Sequence, residues 1–186
     1  AVAVACGFNP EGGSRNFSFS TRETHSELGA ALTVVRSAYP KDGFFLRAES
    51  FYNAASYIDT LDEIPSVYGG SLHEKSHGES FLEPVQHRFR GHGLYLLDEP
   101  EAALSPMRLL TLMGEIGRLT EAGSQFIIST HSPILMAFPG AEVLEITGAG
   151  IRPVPYRETE HFTVTRSFLE NPERMLRILL DKDAGE

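Results

Sequence analysis

Cysteine is almost absent from this chain: Cys6 is the only one. A single thiol excludes an internal disulfide and fits a reducing compartment. Long apolar runs are missing too, and none approaches the ~20 residues a membrane-spanning helix needs. The apolar start, Ala1 to Ala5, has no basic flank and is too short for a secretory signal. Positive charge is scarce. Sixteen Lys and Arg against 25 Asp and Glu give a net charge of -9, which argues against a broad basic surface for nucleic acid and leaves room only for a local patch. No repeat or low-complexity tract marks an internal boundary. The expectation is one cytoplasmic domain over residues 1–186, of soluble composition and long enough for a real core.

What the chain does have is a stretch around which the rest is organised, Gly93-Leu94-Tyr95-Leu96-Leu97-Asp98-Glu99-Pro100-Glu101. Its unbroken apolar run reads as a strand buried on both faces, as in a parallel sheet covered by helices. The run ends in two adjacent carboxylates, and ligands gather at the carboxyl ends of strands in open α/β sheets. An acidic turn is the plainer reading of the same residues. Elsewhere, Ala1 to Ala5 reads as the last turns of a helix, Gly12-Gly13 as a turn, and Asn16 to Thr21 as a short strand. Thr24 with Glu27 has capping-box spacing ahead of an apolar stripe, Leu28, Ala31, Leu32 and Val35, that stops near Pro40. Phe44 to Leu46 reads as another buried strand. Ser105 and Pro106 open a helix whose buried face is Leu109, Met113, Ile116 and Leu119 and whose end is Gly123. Gln125 to Thr130 is a further strand, Ala141 to Thr147 with Ile151 to Tyr156 a hairpin, and Pro172 starts a last short helix. Strand, helix, strand through the middle predicts a parallel α/β sheet.

Three clusters carry chemistry. Ser76-His77-Gly78-Glu79-Ser80 places a hydroxyl and a glycine at a helix start, where free amides make an anion site; Ser76 with Glu79 also fits a simple capping box. Pro84 is expected to kink or delay the helix that follows. Ser129-Thr130-His131-Ser132-Pro133 puts a histidine directly after the second central strand, where on its own it reads as a cap for the helix that begins at Ser132. His73-Glu74-Lys75-Ser76-His77 matches the zinc-peptidase pattern H-E-x-x-H, which requires both histidines on one helical face. The glycines on either side, Gly69-Gly70 and Gly78, speak against a continuous helix there.

In order and spacing, the elements from Gly69 to Pro139 resemble an ATP-binding-cassette (ABC) ATPase. More loosely, almost the whole chain is similar to small stand-alone bacterial ATPases of that class, related to chromosome-maintenance and repair ATPases. The resemblance implies a P-loop NTPase-like parallel sheet flanked by helices, ATP and magnesium as cofactors, and a nucleotide-sandwich homodimer. It implies that Asp98 supports magnesium indirectly and that Glu99 orients or deprotonates the attacking water. His131 would contact the γ-phosphate. Ser76, Gly78 and Glu79 would form the signature turn facing the partner's nucleotide, and Ser105 would stand where the D-loop usually ends in Asp. Glu49 is the candidate for the glutamine loop, differing in residue type. The phosphate loop itself requires glycine before lysine, yet Lys41, Lys75 and Lys182 follow Pro40, Glu74 and Asp181. The chain is therefore expected to be the C-terminal part of such a domain, with the loop upstream of Ala1, and to be inactive alone. A zinc metallopeptidase and a non-hydrolytic, cassette-shaped binding module are the alternatives.

Overall fold

The computed structural model describes residues 1–14, 28–51 and 77–180. They fall into two compact units, Ala1–Thr130 and His131–Glu186.

The first unit is built on a four-stranded sheet in the order β1-β2-β3-β4, comprising Gly13–Ser14, Asp42–Arg47, Gly93–Asp98 and Gln125–Ser129. β2, β3 and β4 are parallel, while the short β1 runs antiparallel to β2. The buried run of β3 explains the centre: all of Gly93 to Leu97 is buried, flanked by β2 and β4. The register sets Phe44, Tyr95 and Phe126 side by side, and Leu46, Leu97 and Ile128 two residues further along on the same face. Phe89 stacks flat on Tyr95, with ring centroids 4.0 Å apart and planes 5° apart. The opposite face carries Phe45, Leu94 and Leu96, covered by Ala3, Cys6 and Phe8. Helix α1, Val2–Ala5, supplies part of that cover. β4 is less enclosed, and Ile127 is 41% exposed.

α2 spans only Leu28–Ala31, so the stripe predicted to continue toward Pro40 is cut short. Thr33, Val34 and Val35 follow, and β-branched residues lose side-chain freedom in a helix. Leu28, Leu32 and Val35 are exposed, and it is Gly29 that is buried, against Val4. The predicted strand at Asn16 to Thr21 and the capping box of Thr24 and Glu27 lie outside the described residues.

α3 runs from His77 to Glu83, and Pro84 then opens a π-helical turn through Arg88. Proline lacks the amide a regular helix would use, and the chain answers with a wider turn. α4, Pro106–Glu121, is capped by Ser105, whose hydroxyl accepts from the Arg108 amide at 3.4 Å. Its buried stripe is Leu109, Leu112, Ile116 and Leu119, each worth roughly 1.5–3 kcal/mol when fully buried. Met113, expected in that stripe, is only half-buried, and Leu112 takes the inner position. Gly123 sits at φ 82°, the left-handed backbone that ends helices. α4 packs on β4 and on the π-helical turn.

The second unit contains α5, Pro133–Met136, then a hairpin of β5, Leu144–Thr147, and β6, Gly150–Pro153. The hairpin turns on Gly148-Ala149, tighter than the sequence implied. A 3₁₀ turn, Tyr156–Glu158, leads into α6, Glu160–Glu170, which the sequence reading did not anticipate. α7, Pro172–Leu180, is the expected final helix, and its Leu176, Ile178, Leu179 and Leu180 are exposed.

Candidate functional site

The register brings Arg47, Asp98 and Ser129 level at the carboxyl ends of β2, β3 and β4. Beyond this rim lies a cleft of about 330 Å³ lined by Arg47, Ala48, Glu49, Asp98, Glu99, Ala102 and Ala103. Three of the sequence candidates, Glu49, Asp98 and Glu99, therefore share one cleft within the first unit.

Backbone hydrogen bonds fix Asp98 and Glu99 in place. The Asp98 carbonyl accepts from the Ala48 amide at 3.1 Å, which ties the end of β3 to the turn after β2. The Glu99 amide donates to the Ser129 carbonyl at 2.9 Å, extending the ladder toward β4. Glu99 itself has φ 48° and ψ 51°. That left-handed conformation costs an ordinary L-residue about 1–2 kcal/mol, and such strain gathers at functional sites. Directly after it, Pro100 opens a 3₁₀ turn through Ala102, and Thr130 donates its hydroxyl to Glu101 Oε2 at 2.8 Å. The acidic pair thus stands on a turn fixed from both sides.

Arg47 lines the same cleft and is absent from the residues the sequence singled out. Its Nε donates to Asp98 Oδ2 at 3.1 Å, and its Nη2 pairs with Glu49. One guanidinium offsets the repulsion among carboxylates gathered in one cleft. The signal was present: a basic residue directly after Phe44-Phe45-Leu46, at the carboxyl end of a strand next to the acidic one.

The signature-like turn is placed partly. Ser76, with His73 to Lys75, lies outside the described residues. Gly78 is buried at the start of α3, where a Cβ would come within 2.5 Å of Arg108 Nη1 and 3.0 Å of the Ala103 carbonyl. Glu79 pairs with Arg108 Nη2 at 3.1 Å. Gly78 and Glu79 therefore join α3 to the start of α4, next to Ala103, which also lines the cleft. Ser105 is the N-cap of α4. His131 opens the second unit, where its Nδ1 lies 3.0 Å from His161 Nε2. Among the described residues no group of three His, Cys, Asp or Glu is arranged to hold a metal, and no helix is long and apolar enough to cross a membrane.

A mostly parallel sheet flanked by helices, with acidic residues at its carboxyl rim, is the architecture of an α/β nucleotide-binding domain. A family model described as "AAA domain, putative AbiEii toxin, Type IV TA system" matches residues 79–137. The matched segment runs from the signature-like turn through β3, α4 and β4 to the residues after His131, and it points to an AAA, P-loop ATPase-like family. Searches among curated proteins and among solved structures gave no significant match.

Proposed function

We propose that the chain belongs to an ATP-hydrolysing domain of the ABC class that works as a nucleotide-sandwich dimer. The observation that supports this most is the acidic pair at the end of the central strand. Asp98 and Glu99 line one cleft with Glu49, on a strained turn fixed by β4. A plain acidic turn has no need of a left-handed glutamate, since Asn or Gly adopts that backbone at lower cost.

A single carboxylate at the strand end suits magnesium, which keeps several of its waters and is otherwise held by the phosphates of its substrate. Asp98 would hold magnesium through water, and magnesium would supply charge neutralisation of the polyphosphate. Arg47 keeps the Asp98 carboxylate oriented by a hydrogen bond to Oδ2. Glu99 accepts the proton of the attacking water or orients it. His131 donates to a γ-phosphate oxygen, and Ser76 with Gly78 and Glu79 serves the nucleotide on a second copy. This reading requires phosphate-loop amides and a lysine, and none of Lys41, Lys75 and Lys182 follows a glycine.

The deciding experiment is Glu99→Gln in a version of the protein that carries a phosphate loop. Steady-state hydrolysis is expected to fall about 10²–10⁴-fold, the usual contribution of a positioned base, while ATP binding persists and the dimer stays trapped with nucleotide. Turnover within a factor of two of the parent would remove Glu99 from this role.

A further inference from the structure

His131 and His161 meet through ring nitrogens, Nδ1 to Nε2, at 3.0 Å. Their ring centroids are 5.2 Å apart with planes tilted by 34°. That separation equals roughly the nitrogen gap plus two ring radii, so the rings meet end to end. This is the geometry of an N–H···N hydrogen bond, not of two lone pairs converging on one cation.

His161 is itself held in a well-built first turn. Thr159, which is buried, caps α6 by accepting from the Phe162 amide at 3.3 Å, and its hydroxyl donates to the Tyr156 carbonyl at 2.8 Å. The hydroxyl of Thr163 donates back to the Thr159 carbonyl at 3.1 Å, and the rings of Tyr156 and Phe162 lie 4.7 Å apart. α5, which starts two residues after His131, packs on α6.

A neutral imidazole carries one N–H, and the hydrogen bond at one nitrogen sets the role of the other. Phosphate oxygens only accept. If His131 is to donate to phosphate while its Nδ1 is engaged by His161, its proton must sit on Nε2, and Nδ1 must be the acceptor. Resting on the reading of His131 as the γ-phosphate contact, we propose that His161 is a positioning residue: its Nε2–H donates to Nδ1 of His131 and holds His131 in the Nε2–H tautomer. His161 thereby presets the donor before nucleotide arrives.

The test needs no nucleotide. Two-bond proton–nitrogen correlation spectra of the ¹⁵N-histidine-labelled 186-residue chain, recorded with both rings neutral, report which nitrogen carries each proton. The expected result is a protonated Nε2 on both rings and a bare Nδ1 on His131. His161→Phe is expected to shift the His131 tautomer ratio roughly two- to tenfold toward Nδ1–H, the worth of one net hydrogen bond. His161→Gln, which keeps a side-chain N–H donor, returns the ratio toward the parent's. Circular dichroism confirms that both variants fold. A proton on Nδ1 of His131 in the parent, or the same ratio in folded parent, His161→Phe and His161→Gln proteins, overturns the proposal. Failure of the reading of His131 as the γ-phosphate contact would show separately, as unchanged turnover of a His131→Ala protein that carries a phosphate loop.

Discussion

The end of the sheet away from the cleft offers a clean test of what holds the first unit together. Tyr95 is wholly buried as a side chain, yet its hydroxyl lies 2.9 Å from Asp42 Oδ2 and 2.7 Å from the Arg90 carbonyl, and it accepts from the Arg90 amide at 2.6 Å. Arg88 pairs with the same Asp42 oxygen. Burial pushes the Tyr95 phenol well above its ordinary value, so it stays a neutral donor. Burial also pushes the Asp42 carboxyl upward, but hydrogen bonds from Arg88, Tyr95 and the Gly43 amide, with the charge of Arg88, outweigh it and hold the group below its ordinary value. Tyr95→Phe keeps the ring and its stack on Phe89 and deletes only the hydroxyl. A hydrogen bond to a charged acceptor is worth about 1.5–3 kcal/mol. Arg88 and Gly43 still serve Asp42, so the expected loss is about 2 kcal/mol, or about 4–8 °C in midpoint for a chain of this length. Urea unfolding followed by circular dichroism measures it, since the chain has no tryptophan. A carboxylate with a depressed folded value adds stability above its unfolded value of about 3.9, and that stability is lost as pH falls through the folded value. Tyr95→Phe removes one cause of the depression, so its deficit relative to the parent should narrow on acidification. A deficit under about 0.5 kcal/mol, or one that does not change with pH, would refute a charge-assisted role for the hydroxyl.

Three further outcomes follow from the same geometry. Gly78→Ala should destabilise by about 1–3 kcal/mol and break the Glu79–Arg108 pair, because the new Cβ meets the Ala103 carbonyl as well as the movable Arg108; an unchanged or raised urea midpoint would count against that packing. Elemental analysis of protein purified without a histidine tag should find no zinc held by His73 and His77, and one zinc per chain, lost on replacing His73, would favour the peptidase reading. Calorimetric titration of residues 1–186 with ATP and magnesium should show no tight binding, because most contact with the α- and β-phosphates comes from phosphate-loop amides and lysine. A low-micromolar dissociation constant would mean that another segment, such as Asn9 to Arg15, cradles phosphate.

The centre of the fold was legible because its sequence signals are local. A continuous apolar run bounded by glycine and carboxylates can hardly be anything but an enclosed strand, and β3 is one. Ser105, Pro106 and Gly123 likewise mark both ends of α4 through backbone chemistry that needs no tertiary partner. What escaped depends on neighbours distant in the chain. Leu112 rather than Met113 faces inward because the sheet and the π-helical turn fix the rotation of α4. α6 went unseen because its sequence mixes β-branched, aromatic and charged residues, and its cap, Thr159, is recognisable only from its bond to the Phe162 amide. Asp98 and Glu99 were visible as a pair at a strand end. Arg47, which bonds Asp98, is 51 positions away and joins it only through the β2–β3 register.

With Glu99 in the role proposed for it, its left-handed backbone sets folding and chemistry against each other at one position. Asn or Gly would relax the turn; the strain relieved is about 1–2 kcal/mol, of which glycine's freedom in the unfolded chain returns roughly 0.4–1. A library selected only for heat resistance or expression would therefore drift away from glutamate at residue 99. Its best-behaved members would be well-folded proteins that had lost the carboxylate proposed to handle the attacking water. Thermal robustness in variants of this chain is thus a poor guide to competence, and substitutions meant to stiffen the fold belong far from the cleft.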